Sequence, residues 1–382
     1  MDFSISDDQK QIVEAARKFA NNEFPRIARE CDREEKFPWE VWKKAGELGF
    51  MGIFIAPEYG GLGLGYLEHA LVMEEFWRVD PGVGNILLGV FGAEIVGTFG
   101  TSDQKKRLLE PIAGGKAIMG CAITEPNAGS DIFSVGTRAV RTDNGYVING
   151  TKQFITNGSI AQYALVLCVT DPEASKRTER FSFLVVERDR KGFTANRLKG
   201  KMGIRASDTA ELSFDDVLVP EENLIGAKES EGFRQVMHLF NINRLVASSQ
   251  GVGVAQGALD RAVKYIRERV QFGAPLASFQ GVQFKIAEMA ARIESARVLY
   301  QKAAWLMDHG HVDRRLVSIA KLVAGEAAVR VTDEALQLHG GYGYMEEYDV
   351  ERFYRDAKIV EIYEGTKEIE KVTIAREILG RT

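Results

Sequence analysis

The hydrophobic pattern of this chain changes its period twice, from helix to strand and back to helix. This change limits the fold more than any other feature of the sequence. Up to residue 118 the pattern is helical. Ser6 with Gln9, and Thr101 with Gln104, match the capping box that marks the first turn of a helix. The sequence therefore predicts a helical N-terminal domain at residues 1–118.

Between residues 119 and 228 the hydrophobic period becomes two. Leu212 and Phe214 alternate with polar residues, which is typical of a strand with one buried face. The pair Asn149-Gly150 lies between two apolar runs. Such pairs favour a type I′ hairpin turn because both central residues must take a positive φ. We expect a β domain in this region, with a hairpin turn at Asn149-Gly150.

From residue 229 to residue 382 the helical period returns. Apolar residues recur at spacings of three and four at Ile286, Met289, Ile293, Ala296 and Tyr300. Long helices of this kind bury such stripes against each other, so we expect a helical bundle. The order α, β, α contains no alternating βαβ units, which argues against a doubly wound nucleotide-binding fold.

The composition excludes several classes of protein. Hydrophobic residues make up 45% and charged residues 27% of the 382 residues, as in globular proteins. The net charge is −5 with both signs interspersed, so no surface for nucleic acid or an anionic membrane is expected. The N-terminal segment lacks the apolar core of a secretory signal, and no run is apolar enough for membrane insertion. We expect a cytoplasmic protein.

Several standard chemistries are also not indicated. The sequence has no HExxH, no CxxC and no tight cluster of histidines and aspartates, so no metal site is expected. It has no GxSxG elbow and no P-loop. Cys31, Cys121 and Cys168 are widely spaced and are expected to be free thiols. The glycine-rich run from Gly251 to Gly257 lies within a helical pattern and does not match a dinucleotide fingerprint.

Two loop segments remain as candidate sites. The first is CAITEPNAGSD, from Cys121 to Asp131, which the proline, asparagine and glycine mark as a turn. Its backbone amides, with Thr124 and Ser130, could hydrogen-bond the edge of a heteroaromatic ring or a phosphate. An ordinary capped turn explains the same spacing.

The second segment runs from Gln337 to Gly380. Within it, Thr366 is predicted to be the N-cap of the last helix, which places Glu364 and Gly365 near the positive end of that helix. Taken alone, Glu364 is a carboxylate beside a cap, and such residues are usually solvated.

Together, these segments resemble a known family. ITEPNAGSD and QLHGGYGY…RFYRDAKIVEIYEGTKEI closely resemble the two signature regions of the acyl-CoA dehydrogenase family, in the same order and separation. The similarity extends to FITN at 154–157 and to RVQFGAPLASFQ at 269–280. It implies a mainly α fold with a middle β barrel or sandwich domain, and a C-terminal four-helix bundle. It also implies FAD between the β domain and the bundle, and a homotetramer in which subunits complete each other's FAD sites.

The resemblance implies specific FAD contacts. Thr124 and Thr156 would hydrogen-bond the isoalloxazine ring, and Phe154 stands where many members have a tryptophan against the flavin. Arg269 would face the pyrophosphate, which suits a planar cationic donor. Arg269, Phe272, Gln280 and the 337–341 stretch would serve the neighbouring subunit. The full set of expected FAD-binding residues is Cys121, Ile123, Thr124, Gly129, Ser130, Phe154, Ile155, Thr156, Arg269, Phe272, Gln280, Gln337, Leu338, Gly340, Gly341, Thr366 and Glu368.

The resemblance also implies the base and the substrate contacts. Glu364 would remove the α proton of a CoA thioester while a hydride leaves the β carbon toward the flavin. Its backbone N–H and a flavin ribityl hydroxyl would hold the thioester oxygen. Some branches place the base instead at the position of Asn243, which cannot act as one, and Asn241 stands where an aspartate is common. The expected substrate-binding residues are Ser130, Asn241, Arg244, Tyr363, Glu364 and Gly365, with Arg244 facing the CoA moiety.

The expected reaction is dehydrogenation of a saturated acyl-CoA to the trans-2-enoyl-CoA, with electron-transfer flavoprotein as the acceptor. Short or medium acyl chains are favoured, and branched, cyclic or dicarboxylic acyl groups stay open, because pocket depth depends on packing in the Gly82–Gly92 region. One alternative is a flavin oxidase or monooxygenase on the same fold. Another is a non-catalytic flavoprotein or acyl-CoA-binding scaffold.

Overall fold

The computed structural model describes residues 5–380. Its first part is helical, as predicted, and both capping boxes are present: the N–H groups of Gln9 and Gln104 donate to Ser6 Oγ and Thr101 Oγ1, each at 3.2 Å. These helices pack around the buried rings of α4, among them Phe76 and Trp77. Their bounds are α1 Asp7–Glu23, α2 Ala28–Glu34, α3 Trp39–Glu47, α4 Tyr66–Val79, α5 Pro81–Gly84, α6 Ala93–Phe99 and α7 Ser102–Ala113.

The middle of the chain forms a seven-stranded sheet. In the sheet the strands lie in the order β1-β4-β2-β3-β7-β6, and β5 pairs with β4. The predicted alternation holds in β7, where Leu212 and Phe214 are buried in the core of the β domain. The strands are β1 Met119–Ala122, β2 Arg138–Thr142, β3 Gly145–Thr156, β4 Tyr163–Val169, β5 Phe181–Glu187, β6 Phe193–Arg197 and β7 Thr209–Val219.

The predicted hairpin turn at Asn149-Gly150 is wrong. Both residues lie inside β3, at a break in its register with β7. The Asn149 side chain donates to and accepts from Asp216, at 2.9 Å in each case. A Cβ at position 150 would lie 2.5 Å from Thr137 Oγ1. Here the pair marks a β-bulge with a close backbone approach, two features that also select asparagine and glycine.

The last part of the chain is the predicted helical bundle. Helix α10 packs on α8, α9 and α12. The predicted stripe of α9 faces this core: four of its five residues are buried and Ile286 is partly buried. The run from Gly251 to Gly257 lies within α8. The elements are α8 Gly232–Glu268, β8 Val270–Gln271, β9 Ala274–Pro275, α9 Gln280–Asp308, α10 Arg314–His339, α11 Val350–Ala357 and α12 Lys367–Leu379.

The fold class is therefore mainly α with a middle β domain, as the sequence predicts. The domain boundaries at 118/119 and 228/229 stay predictions. Within residues 5–380, no helix combines the length and apolar character that crossing a membrane requires.

Candidate active site

Glu364 lies in a turn between α11 and α12. Thr366 caps α12 as predicted, since its Oγ1 accepts from the N–H of Ile369 at 3.3 Å. Immediately before the cap, Glu364 has φ +54° and Gly365 has φ +98°. A glutamate in the left-handed region is unfavourable by about 1–2 kcal/mol, so the surrounding structure must hold it there. The backbone strain therefore falls on the predicted base.

Charged side chains from neighbouring helices lie against this turn. Glu370 is 0% exposed, and its Oε1 accepts from Nε of Arg244 at 2.8 Å. A Cβ at position 365 would overlap that carboxylate oxygen, so the close approach requires glycine. Lys321, on α10, donates from Nζ to the carbonyl oxygen of Gly365. Two cations and one carboxylate thus lie under the residue that follows Glu364.

The environment of Glu364 shifts its pKa in two opposing ways. Burial raises the pKa of the Glu364 carboxyl, while the amide of Asn243 and the positive charges of Lys321 and Arg244 act to lower it. The net direction is upward. Since the side chain is half-buried, it is still accessible from one side. A partly desolvated carboxylate near cations is suited to accept a proton from a bound substrate.

The position that carries the base in other branches also lies here. Asn243 is buried on α8, close enough to Glu364 for its amide to act on the carboxylate. Its Nδ2 has no hydrogen-bond partner among the described residues. Asn241, two residues earlier on the same helix, is buried as well. The structure thus brings the two candidate base positions, 243 and 364, together.

Arg244 forms a buried ion pair. It is buried and paired with Glu370 beneath Gly365. A direct contact to the CoA moiety stays a prediction. Tyr363 is half-buried, and its hydroxyl donates to Oε1 of Gln250.

A second buried carboxylate belongs to the same region. Glu94, on α6, is 4% exposed, and its Oε2 accepts from the N–H of Gly92 at 2.8 Å. Burial raises its pKa to about 7, and the charge of Glu364 contributes in the same direction. The sequence interpretation missed Glu94 because a glutamate in a first helical turn is an ordinary solvated residue.

The Cys121–Asp131 segment is a turn fixed to the sheet. Glu125 and Ala128 exchange backbone hydrogen bonds, and the N–H of Gln153 donates to the carbonyl of Thr124 at 2.8 Å. Lys152, fully buried on β3, donates to the carbonyl of Ile123 at 3.0 Å and to Glu125 at 2.8 Å. No role was predicted for Lys152 from the sequence. A lysine at an inward-facing position of a strand is the sequence signal that indicates such a residue.

The FITN segment directs one aromatic ring outward. Phe154 has φ +59° and is 67% exposed, whereas Ile155 is buried in the β core. Cys121 is buried as well. The side chains of Ile155 and Cys121 are therefore part of the core, and a contact of either residue with FAD stays a prediction. Thr124 and Thr156 are half-buried.

A cavity of about 480 Å³ lies where α8 and α10 end. Arg269, Gln337, Leu338, Gly340 and Gly341, all predicted to bind FAD, line it. The guanidinium carbon of Arg269 is 5.3 Å from the ring centroid of Tyr342. A cation, backbone groups and aromatic surface suit a dinucleotide diphosphate.

The other predicted FAD residues lie at the surface. The half-buried ones are Ile123 and Thr366, and the exposed ones are Gly129, Ser130, Phe272, Gln280 and Glu368. By the resemblance, the exposed ring of Phe154 and the turn would contact the isoalloxazine ring, and the cavity at Arg269 would hold the diphosphate of a neighbouring subunit's FAD. The chemistry of these groups suits that assignment, which stays a prediction. No group of three or more His, Cys, Asp or Glu side chains within residues 5–380 could hold a metal ion.

Comparison with known proteins identifies the family. Models of the acyl-CoA dehydrogenase N-terminal, middle and C-terminal domains match residues 6–116, 120–217 and 230–379. The chain is 44% identical to acryloyl-CoA reductase (NADH) of Anaerotignum propionicum, over 100% of this chain and 97% of that one.

Two solved structures are also similar. Butyryl-CoA dehydrogenase from Megasphaera elsdenii has a TM-score of 0.96 at 39% identity, covering 99% of this chain and 100% of that one. A chain from the study of the electron transferring flavoprotein of Acidaminococcus fermentans has a TM-score of 0.97 at 40% identity, covering 100% of both. The chain belongs to the acyl-CoA dehydrogenase family, and it is an FAD-dependent oxidoreductase.

Proposed function

We propose that this protein oxidises a short saturated acyl-CoA to its trans-2-enoyl-CoA, with Glu364 as the base. The observation that carries the proposal is the half-buried Glu364 carboxylate, held in a left-handed turn above two cations. The similarity to butyryl-CoA dehydrogenase supports a short acyl chain. Acyl-CoA dehydrogenation itself is the activity of the family.

The residues of this chain supply the proton chemistry. Bound FAD would supply the acceptor for the β hydrogen, which an unactivated C–H bond cannot lose as a proton. The α proton becomes acidic only if donors stabilise the thioester oxygen, each contributing about 3 kcal/mol. Among residues 5–380 the N–H of Glu364 has no protein acceptor, so it is free to donate to that oxygen. The same residue would then bind the carbonyl and remove the proton.

Electrostatics fit this role. Substrate binding excludes water and raises the pKa of Glu364 further, which favours proton uptake. The positive charges of Lys321 and Arg244 oppose that rise and favour the ionised carboxylate. A base of this kind operates best when its pKa is close to the working pH.

A panel of saturated thioesters tests the proposal. Anaerobic mixing with butyryl-CoA should bleach the flavin, with slower bleaching by longer chains, since each methylene changes binding by about 1–3 kcal/mol. 2,2-Dimethylpropanoyl-CoA is the matched control because it has no α proton, and it should leave the flavin oxidised. If the purified protein contains oxidised flavin that no thioester reduces, the result would instead support a non-catalytic flavoprotein or acyl-CoA-binding scaffold.

A second candidate is the reverse reaction, reduction of a 2-enoyl-CoA. The 44% identity to an acryloyl-CoA reductase favours it. In that direction Glu364 would donate the α proton instead of accepting it, and the same turn serves both directions. Turnover of crotonyl-CoA by pre-reduced enzyme that is faster than oxidation of butyryl-CoA would assign the reductive direction.

Electron-transfer flavoprotein is the proposed electron partner. The similarity to a chain from a study of such a flavoprotein supports this proposal. Purified electron-transfer flavoprotein should reoxidise the butyryl-CoA-reduced enzyme faster than air does. Rapid oxygen consumption coupled to turnover would favour the oxidase alternative.

We also propose that the protein is a homotetramer in the cytoplasm. Phe272, at the tip of the β8-β9 hairpin, is 95% exposed, and α12 exposes Ile378 and Leu379. We expect a neighbouring subunit to cover these apolar side chains. Light scattering should give four times the 42.4 kDa mass of the chain.

A further inference from the structure

A buried lysine with no predicted role lies behind the proposed base. Lys321 is 1% exposed on α10, and its Nζ donates to the carbonyl oxygen of Gly365. A buried ammonium group is unfavourable unless hydrogen bonds or charges compensate it. Burial lowers the pKa of Lys321 to about 8, which the neighbouring carboxylates oppose. Packing alone does not explain why a lysine occupies this buried position.

Lys321 forms no close ion pair with the described residues. Among the described residues, no carboxylate oxygen lies within 4.0 Å of its Nζ. The neighbouring cation differs, because Arg244 is paired with Glu370 at 2.8 Å. Arg244 has a close anionic partner, whereas the charge of Lys321 acts at longer range on Glu370, Glu364 and Glu361.

The hydrogen bond of Lys321 also restrains the turn. Glu364 and Gly365 both have positive φ, and the carbonyl of Gly365 is the acceptor. Holding this carbonyl fixes the peptide between Gly365 and Thr366, one residue after Glu364. Loss of the bond would let the strained turn relax toward ordinary backbone angles and displace the carboxylate.

We propose that Lys321 is the positioning residue of the catalytic carboxylate: it holds the Glu364-Gly365 turn through the Gly365 carbonyl, and its positive charge keeps Glu364 ionised. This inference rests on the proposed function, in which Glu364 is the base. Lys321 is not proposed to contact the substrate, and it acts through Glu364.

The pH dependence of the reaction depends on the titratable and charged groups around Lys321 and Glu364. Lys321 faces Glu370, Glu364 and Glu361, and also Arg244. Glu364 is faced by Asn243 and Arg244 on α8 and by Lys321 on α10. Glu94 on α6, Cys121 on β1 and the adjacent Tyr363 interact with its charge as well. Cys121 and Tyr363 stay neutral at ordinary pH because burial raises their pKa values.

Three substitutions separate charge from geometry. K321Q keeps a hydrogen-bond donor and removes the charge, K321M removes both, and K321R restores the charge. K201M is a matched control: Lys201 also donates to a backbone carbonyl, that of Ser207, and burial lowers its pKa to about 8. The carboxylates that face Lys201 are Asp208, Glu35 and Asp356, and not Glu364.

The measurement is the rate of flavin reduction by butyryl-CoA from pH 5 to pH 9, with FAD content, melting temperature and crotonyl-CoA affinity measured in parallel. The acid limb should move to higher pH by about one unit in K321Q and K321M, since loss of a nearby positive charge raises the pKa of a carboxyl by about this order. K321R should restore the limb, and K201M should leave it in place. K321M should also lower the rate at the plateau, because the turn is no longer held.

Several results would overturn the inference. An acid limb unchanged in K321Q and K321M would show that Lys321 does not act on the base. An equal displacement in K321R and K321Q would show that the charge is not what matters. If wild-type protein is not reduced by any thioester, the proposed function fails instead, and the two failures are therefore distinguishable.

Discussion

Nε of Arg244 lies 2.8 Å from Oε1 of Glu370, directly beneath Gly365. The ion pair is buried and occupies the space that a side chain at position 365 would need. The catalytic turn, the glycine and the ion pair are thus one unit. Changing any part should affect Glu364.

G365A should abolish most of the activity and destabilise the protein. The added methyl group would overlap Glu370 Oε1, and φ +98° is unfavourable for alanine, so we expect a loss of about 1–3 kcal/mol. Urea unfolding and flavin reduction by butyryl-CoA measure the two effects. G97A in α6, where a Cβ meets nothing within 4 Å, is the control; it should keep wild-type activity and should not destabilise the protein, since alanine is more favourable than glycine in a helix by up to about 1 kcal/mol. Wild-type activity in G365A would contradict the described geometry.

R244Q should destabilise the fold because it leaves the Glu370 carboxylate buried without its cation. Breaking one partner of a buried ion pair typically costs about 3–5 kcal/mol. The double variant R244Q/E370Q should recover part of that loss, and a double-mutant cycle by urea unfolding measures the coupling. A rise in KM that persists undiminished in the double variant would separately support the predicted CoA contact, since both variants lack Arg244. Additive effects in the cycle would exclude the pair as a stabilising unit.

Position 94 gives a pH-dependent prediction. Burial raises the Glu94 pKa to about 7, above its unfolded value, so the folded protein binds this proton more tightly. The stabilisation is fully present below about pH 4.5 and is lost as the pH rises through 7. E94Q should therefore match wild type near pH 4.5 and be more stable at pH 8, by up to about 3 kcal/mol. Equal stabilities at pH 8 would show that Glu94 ionises freely.

F272D tests the proposed tetramer. A charge at this 95% exposed apolar position should dissociate the assembly and lower FAD content, since the neighbouring hairpin is expected to complete the FAD site. Light scattering and the flavin-to-protein absorbance ratio measure both. L48D, at an exposed leucine in the N-terminal domain, is the matched control and should change neither. A tetramer with full flavin in F272D would move the interface elsewhere.

Local patterns predicted the parts of this molecule that local physics determines. The capping boxes, the Thr366 N-cap and the alternation of β7 depend on residues close in sequence, and each is present. Asn149-Gly150 failed because a bulge and a turn select the same residues, and the choice between them depends on Thr137 and Asp216.

The charges around the base could not be predicted in the same way. Lys321 lies 44 residues from its acceptor Gly365, and Arg244 lies 126 residues from Glu370. In sequence, each resembles a solvated charge on a helix. Only the packing of α8, α10 and α12 brings them under one turn.

The most direct test of the account is flavin reduction by butyryl-CoA in E364Q under anaerobic conditions, with E347Q at an exposed glutamate as the control. E364Q should keep its FAD and bind crotonyl-CoA, yet be reduced more slowly by about 10²- to 10⁴-fold, because an amide cannot accept the α proton. E347Q should be reduced like wild type. Reduction of E364Q at the wild-type rate would contradict the assignment of Glu364 as the base.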